Sequence, residues 1–367
     1  MKQKILWLLF DIGAAALILL VVWVVDYKMP QKGIKAVTGN LAVESVETAS
    51  QNEAENESTD VNMETGGDSS LMLKATGNAV SNPSNLPMTD QVRSTEDWHQ
   101  KFADKFTNTV VATDTTYTSP NLSISLTYNS YDTGKLDYSN AGKHLKYGTK
   151  TSYVLADIYI GDISQFQTAF AQDTYGVGYS EKLSDMSDRM KSILAVNGDS
   201  YSNDRHKDNG TIIRNGVIYR NMQTSAETCV LNWDGTVNIY PPGQTDRQQL
   251  IQRGAYQSWI FGPSLLDDQG KAKTDFITWD YIRQSHPRTA LGYYEPGHYC
   301  LLLVDGRQDS TRGMFLDEEA KIFEDLGCKA AYNLDGGHCS FMTYNSKVAN
   351  HPYKPEHEVE DGIFILP

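Results

Sequence analysis

Acidic residues follow three short apolar runs of the sequence, each within two positions of a glycine. They are Asp199 after residues 193–196, Asp305 after 299–304 and Asp335 after 330–334. Ligands of open sheets usually bind beyond the carboxyl ends of the strands, where such residues meet. A single Asp-Gly pair is more typical of a turn. Because all three acids end apolar runs, the pattern favours one site whose carboxylates act as acids, bases or metal ligands.

The segment between Asp305 and Asp335 predicts how two of these acids come together. Residues 299–304 are continuously apolar, as in a strand that is buried on both faces. Residues 316–326 repeat apolar side chains along one helical face, with acids in the first turn and a glycine directly after. Strand, helix and strand of this length predict a βαβ unit with parallel strands. Asp305 and Asp335 should therefore emerge side by side.

The remaining patterns are mostly those of strands. The predicted strands cover residues 122–128, 152–160, 211–219, 228–232, 236–240 and 258–261, and a short helix covers 181–191. Many strands with few helices are typical of an α+β fold. We expect a single mixed-sheet catalytic domain over residues 94–367, which contains the C-terminal βαβ unit.

Two segments before this domain are predicted to be non-globular. Residues 5–25 carry one charge in an otherwise apolar run, about as long as a membrane-spanning helix requires. Two lysines precede the run and no small-residue cleavage site follows it. We therefore expect a cytoplasmic tip and transmembrane anchor at residues 1–30 and a disordered acidic linker at 31–93. This predicts a single-pass plasma-membrane protein that contacts the membrane through its N-terminal helix, with the catalytic domain extracytoplasmic.

Charge and cysteine content narrow the classes of partner and site. The formal net charge of -14, without a basic cluster, argues against nucleic acid as a partner. The four cysteines are Cys229, Cys300, Cys328 and Cys339, and none has metal-binding CxxC spacing. Cys300 and Cys328 begin the two strands of the βαβ unit, so a disulfide between them is geometrically conceivable.

From Tyr153 to Pro367 the sequence resembles the phosphodiester glycosidase family. The landmarks are Asn197-Gly198-Asp199 with Tyr201, Asn215-Gly216, Phe261-Gly262-Pro263, residues 287–292 (PRTALG), Asp305-Gly306-Arg307, Gly313 with Glu318 and Ala320, and residues 333–337 (NLDGG). The family pattern usually continues with a third glycine and two serines. Here His338-Cys339-Ser340 stand in those places, which puts substrate choice and activity in question.

The resemblance implies a hydrolase that removes an N-acetylhexosamine-like sugar from a sugar-1-phosphodiester in extracytoplasmic glycans. Because the leaving phosphate is already a stable anion, cations matter more than a proton donor. Arg288 and Arg307 fit this role, since a guanidinium grips phosphate oxygens bidentately. The alternative for each arginine is a surface ion pair.

A carboxylate must act on the sugar side of the bond, where it stabilises the oxocarbenium-like transition state and activates water or attacks the anomeric carbon. The candidates are Asp199, Glu318 and Asp335. Glu318 has an alternative explanation, because an acid is favourable at the start of a helix.

Five further residues are predicted to contact the substrate. Asn197 and Asn333 are expected to hydrogen-bond sugar hydroxyls or the acetamido group. Gly336 and Gly337 permit close approach of the backbone to the ligand. His338 supplies a donor or a base in one interpretation and is a structural histidine in the other.

Asp305 is predicted to contact the substrate. It either orients Arg307 or binds a metal ion together with Asp335. No cofactor is required, but Asp199, Asp305 and Asp335 are compatible with a Ca²⁺ or Mg²⁺ ion. A metal-dependent phosphodiesterase that breaks the P–O bond is therefore the second hypothesis. The third is a non-catalytic glycan-binding or exopolysaccharide assembly protein.

Overall fold

The chain folds mainly into strands, and its computed structural model describes residues 12–23, 33–36, 86–139, 144–203, 206 and 209–367. The strands are β1 (Ile34–Lys35), β2 (Val111–Ala112), β3 (Thr116–Thr118), β4 (Leu122–Asp132), β5 (Lys150–Ile160), β6 (Phe166–Phe170), β7 (Thr174–Tyr175), β8 (Glu181–Lys182), β9 (Leu194–Asn197), β10 (Thr211–Arg214), β11 (Val217–Asn221), β12 (Thr228–Asn232), β13 (Val237–Tyr240), β14 (Ala255–Trp259), β15 (Arg288–Glu295), β16 (His298–Asp305), β17 (Ala330–Asn333), β18 (Met342–Tyr344), β19 (Lys347–Val348), β20 (Glu358–Val359) and β21 (Asp361–Ile365). The α-helices are α1 (Trp98–Lys101), α2 (Leu183–Met190), α3 (Arg247–Gln252), α4 (Asp280–Arg283) and α5 (Leu316–Asp325). Short 3-10 helices lie at Leu145–Tyr147, Ile163–Gln165 and Ala171–Asp173.

The largest sheet has seven strands in the order β17-β15-β16-β5-β4-β3-β2, and each neighbouring pair is antiparallel. Side chains alternate between the two faces of β16, as the pleat requires. Leu301 and Leu303 enter one hydrophobic core, while Leu302 and Val304 enter another. This strand is therefore buried on both faces, as the apolar run at 299–304 predicts.

Other elements cover the two faces of this sheet. A five-stranded sheet (β19-β18-β9-β21-β6) and a three-stranded sheet (β13-β12-β14) share the first core, to which Val196 and Ile363 contribute. Helix α5 covers the second core with Phe323. Layers of sheet and helix around these cores confirm the α+β class.

The βαβ unit differs from the prediction in one respect. Strands β16 and β17 are parallel in direction and joined by α5, but they are not neighbours, because β15 lies between them and is antiparallel to both. The two strands are parallel, as predicted, but Asp305 and Asp335 do not emerge from adjacent strands, contrary to the prediction that they lie side by side. A tight Pro-Gly turn joins β15 to β16, so β15 occupies that edge of β16, and β17 pairs with the other edge of β15. Asp305 and Asp335 therefore flank the start of β15, where Arg288 lies opposite Val304.

The folded part begins before residue 94, so the predicted end of the linker at residue 93 needs correction. Ile34 and Lys35 pair with β7. Met88 bridges to Val217, and the Thr89 amide donates to the Gly216 carbonyl over 2.8 Å. Of the predicted linker, residues 31, 32 and 37–85 lie outside the described residues.

The predicted membrane span covers residues 5–25, of which the structure describes residues 12–23 as helical. The other residues of that span lie outside the described part of the chain. Within the described residues, no helix combines the length and the apolar character needed to cross a membrane.

Cys300 and Cys328 are neighbours in the second core. Their Sγ atoms are 3.9 Å apart, and both side chains are buried as free thiols. The strand starts are therefore close, as the sequence suggested, without a disulfide in this structure.

Candidate active site

A cavity of about 470 Å³ opens at the sheet edge where β15 begins and β16 and β17 end. Six of the predicted site residues line it, namely Arg288, Arg307, Asp335, Gly336, Gly337 and His338. The structure thus brings both predicted arginines and one predicted carboxylate to one place.

Arg307 lies at the cavity wall and is held by neutral groups. Its Nη1 donates to the Tyr353 hydroxyl over 2.8 Å, and its Nη2 donates to the Tyr281 hydroxyl over 3.2 Å. Nη2 also lies 3.0 Å from His286 Nδ1. Arg307 makes no ion pair with the carboxylates that the structure describes. Its positive charge is therefore available to an anionic ligand.

Arg307 also adopts an uncommon backbone conformation. Its φ is 59°, in the left-handed region that side-chain-bearing residues rarely occupy. Such strain persists where the surrounding structure over-determines it and is concentrated at functional sites.

Arg288 starts β15 and is buried, with 2% of its surface exposed. Its Nη2 donates to the carbonyls of Ile282 and Gln284, each over 2.7 Å, and its Nε donates to the Met314 carbonyl over 3.1 Å. Burial lowers the pKa of Arg288, and the nearby Glu319 carboxyl, 3.9 Å from Nε, opposes that shift. These carbonyls fix the guanidinium at the back of the cavity.

Asp335 follows β17 and is half-buried at the cavity. Burial raises the pKa of Asp335 to about 6, although hydrogen bonds from the Cys339 thiol and the Gly336 amide oppose the shift. The carboxyls of Asp199 and Asp361 raise it further. Asp335 can therefore change its protonation state near neutral pH, as a general base requires.

Asp199 does not line the cavity, contrary to its predicted catalytic role. Its carboxylate accepts from the backbone amides of Ile260 and Phe261, each over 2.8 Å, and lies 3.7 Å from Arg214 Nη2. Arg214 also forms a buried ion pair with Asp361, whose carboxylate accepts from the Asp199 amide over 2.6 Å. Burial raises the pKa of Asp199. This network holds the segment of Ile260 and Phe261, and Phe261 lines the cavity.

The two predicted sugar-binding asparagines are buried rather than exposed to the cavity. Asn197 donates to the Asp335 carbonyl over 2.6 Å and accepts from the Thr289 hydroxyl over 2.7 Å. Asn333 donates to the Gly262 carbonyl over 2.6 Å. Both side chains therefore tie loops together, which corrects their predicted contact with substrate.

Asp305 is hydrogen-bonded to residues other than its predicted partner Arg307. Its Oδ1 accepts from Asn350 Nδ2 over 3.1 Å and from the His351 amide over 2.9 Å, and the side chain is buried. No hydrogen bond joins it to Arg307 within the described residues. Asp305 fixes the loop that carries Tyr353 instead.

Glu318 lies outside the cavity, at the first turn of α5. Its carboxylate accepts two hydrogen bonds from the buried Arg312, over 3.0 and 2.5 Å, and one from the Phe315 amide over 3.0 Å. The structure supports the alternative explanation, an acid that stabilises a helix start.

The predicted metal ligands do not converge. Across the described ranges, no group of three or more His, Cys, Asp or Glu side chains is arranged to hold a metal ion. Of Asp199, Asp305 and Asp335, only Asp335 lines the cavity.

His338 lies at the cavity rim. Its Nε2 donates to the Pro355 carbonyl over 2.9 Å, and its ring stacks on His357 with centroids 4.6 Å apart. The ring centroid of Tyr353 lies 5.5 Å from that of His338. The histidine that replaces the usual glycine thus belongs to an aromatic rim.

Sequence reasoning missed Tyr281, His286, Tyr353, Cys339 and His357 as site residues. His286 directly precedes the Pro287-Arg288 landmark, and Cys339 follows His338, so adjacency was an available signal for both. Tyr281 and Tyr353 carry no motif that separates them from the other tyrosines.

Residues 190–366, which contain all six predicted residues of this cavity, match the model of the phosphodiester glycosidase family. The match covers just under half of the chain. The chain is also similar to known proteins. An uncharacterized SPbeta prophage-derived protein of Bacillus subtilis strain 168, YomE, is 30% identical over 197 residues. The match covers 52% of this chain and 29% of the length of YomE.

The catalytic domain of zebrafish N-acetylglucosamine-1-phosphodiester alpha-N-acetylglucosaminidase, solved in a form auto-inhibited by its pro-peptide, has a similar fold. The TM-score is 0.50 at 19% identity, and the match covers 67% of this chain and 88% of that domain. The likeness thus reaches beyond residues 190–366, since it covers two thirds of the chain.

Proposed function

We propose that this chain is a hydrolase that removes a sugar from a sugar-1-phosphodiester by breaking the bond between the anomeric carbon and the bridging oxygen. The observation that carries the proposal is the cavity itself, which is lined by two arginines and by an aspartate whose carboxyl has a raised pKa. Its volume of about 470 Å³ suits a ligand of the size of a sugar phosphate. The match of residues 190–366 to the phosphodiester glycosidase family model supports the same reaction class.

Arg307 and Arg288 bind the phosphate in this proposal. Arg307 has no carboxylate partner among the described residues, so its charge is not already neutralised. Arg288 is fixed by three carbonyl bonds and meets the ligand without reorganisation. Together they stabilise the phosphate monoester as it leaves with the electron pair of the broken bond.

Asp335 acts on the other side of that bond. Its carboxylate accepts a proton from water while the water oxygen forms a bond to the anomeric carbon, and the products are the free sugar and a phosphate monoester. Gly336 and Gly337 keep the surface beside Asp335 free of side chains. A Cβ on Gly337 would lie 3.1 Å from Arg307 Nη2, so a larger residue would press on the arginine.

The proposed sugar is an N-acetylhexosamine, and the proposed substrate is a phosphate-linked glycan outside the cytoplasm. The sugar follows from the family resemblance and from the reaction named for the zebrafish enzyme. The location follows from the apolar run at residues 5–25, and it stays a prediction.

The test is product analysis in ¹⁸O-labelled water, with the full chain and methyl α-N-acetylglucosamine 1-phosphate as substrate. We expect free N-acetylglucosamine that carries ¹⁸O, and unlabelled methyl phosphate. Asp335→Asn should lower kcat by 10²- to 10⁴-fold, the range for loss of a general base. Asp325→Asn on the exposed end of α5 is the matched control.

Label in the phosphate would assign cleavage to the P–O bond and support the phosphodiesterase hypothesis instead. Substrate binding without product, in the wild-type chain, would support the non-catalytic hypothesis. Either result would refute the proposal.

A further inference from the structure

His286 lies between a helix and the phosphate-binding arginine. Its Nε2 is 2.8 Å from the carbonyl oxygen of Tyr281 in α4, and its Nδ1 is 3.0 Å from Arg307 Nη2. Its backbone pairs with Met314 in both directions, over 3.1 and 2.9 Å. The imidazole is therefore anchored on one side and contacts Arg307 on the other.

The two contacts of the ring define its protonation state. A carbonyl oxygen only accepts, so Nε2 must carry a hydrogen, and a guanidinium only donates, so Nδ1 must present a lone pair. Both conditions hold only in the neutral Nε2–H tautomer. Burial, together with the charges of Arg288 and Arg307, lowers the pKa of His286 to about 3. The ring therefore stays neutral across the physiological range of pH.

A neutral acceptor leaves the positive charge of Arg307 intact, which neither a carboxylate nor an imidazolium in the same place would do. A carboxylate in the place of His286 would pair with Arg307 and cancel the charge that the phosphate needs. An imidazolium would present a second N–H and repel the guanidinium. The hydroxyls of Tyr281 and Tyr353 complete a set of neutral acceptors around Arg307.

We propose that His286 is a positioning residue, which holds the guanidinium of Arg307 toward the phosphate of the substrate while leaving its charge uncompensated. The inference rests on the proposed function, in which Arg307 binds the leaving phosphate. His286 itself does not contact the reacting atoms in this scheme.

Two substitutions separate the two contacts of the ring. In His286→Asn the amide oxygen takes the place of Nδ1, so the acceptor for Arg307 is kept and the bond to the Tyr281 carbonyl is lost. In His286→Gln the amide nitrogen takes the place of Nε2, so the opposite contact is kept. A purely structural role predicts similar losses in both variants.

The first measurement is the affinity of the full chain for inorganic phosphate by calorimetry, with KM and kcat for the sugar-1-phosphodiester. We expect His286→Gln to weaken phosphate binding and to raise KM about tenfold, the effect of one hydrogen bond to a charged group. His286→Asn, which keeps the acceptor for Arg307, should lose clearly less phosphate affinity than His286→Gln. In an Arg307→Ala background, His286→Gln should add no further loss of phosphate affinity.

Equal losses in the Asn and Gln variants would overturn the inference, as would an undiminished effect of His286→Gln in the Arg307→Ala background. Nitrogen-15 NMR of the imidazole supplies a readout that does not depend on activity. It should show the Nε2–H tautomer without titration from pH 5 to pH 8, and a titration within that range would overturn the inference. Phosphate binding with the expected coupling but without hydrolysis would refute the proposed function and leave the role of His286 supported.

Discussion

Glu319 carries a carboxyl in the second core, where nothing in the described structure hydrogen-bonds it. The side chain is fully buried in α5, neither oxygen has a hydrogen-bond partner among the described residues, and Arg288 Nε lies 3.9 Å away. Burial raises the pKa of Glu319 from 4.5 to about 8, and the charge of Arg288 only partly opposes the shift. The folded protein therefore takes up a proton at Glu319 that the unfolded chain has released at neutral pH.

This difference makes the free energy of unfolding depend on pH. Because the folded pKa is the higher one, the contribution of Glu319 is complete below pH 4.5 and is lost as the pH rises toward 8. Each pH unit between the two pKa values corresponds to about 1.4 kcal/mol. Between pH 5 and pH 8, Glu319 should therefore remove about 3 to 4 kcal/mol from the free energy of unfolding.

The perturbation is Glu319→Gln, which keeps the shape and removes the ionisation. Urea unfolding at pH 5, 6, 7 and 8 gives the free energy of unfolding of wild type and variant at each pH. The variant should gain about 3 to 4 kcal/mol relative to the wild type from pH 5 to pH 8. Asp325→Asn, on the exposed side of the same helix, is the control and should show a constant difference. A constant difference for Glu319→Gln as well would refute the reasoning about its buried carboxyl.

Three further predictions follow from the site. The value of kcat/KM should rise with pH through about 6 as Asp335 loses its proton, and a flat pH profile from 5 to 7 would contradict its role as base. Gly337→Ala should raise KM several-fold and lower the free energy of unfolding by about 1 kcal/mol or more, because Gly337 has φ 69° and the new methyl group presses on Arg307. Kinetics and urea unfolding of the same preparation measure both effects, and an unchanged KM would show that Arg307 is not displaced. Glu318→Ala should lower the free energy of unfolding by about 3 kcal/mol, because it leaves the buried Arg312 unpaired, while kcat is retained. A hundredfold loss of kcat in the folded variant would show that Glu318 takes part in catalysis.

Local patterns in the sequence were sufficient for several of the elements and for six of the residues that line the cavity. The apolar run at 299–304 is a strand buried on both faces, and the helix predicted at 316–326 is α5. Arg288, Arg307 and Asp335 were found because they follow or begin strands within recognisable landmarks. The spacing of residues along the chain is enough to predict the type of an element and the residues at its ends.

The features that could not be predicted depend on contacts between residues far apart in the sequence. Nothing in the pattern around Asp199 indicates that Arg214 and Asp361 occupy its surroundings, since these partners lie in β10 and β21. The same holds for β15, which the sequence does not place between β16 and β17. A carboxylate beside a glycine is equally compatible with a buried network and an open site, and only the packing distinguishes them.

The position of β21 in the five-stranded sheet has a consequence for synthesis on the ribosome. This strand lies between β9 and β6, so residues 361–365 fill a central place that earlier segments leave open. Asp361 at its start also completes the ion pair with Arg214 behind the cavity. The nascent chain therefore cannot close this sheet until that segment has left the exit tunnel, and the cavity should acquire its final shape only after that step.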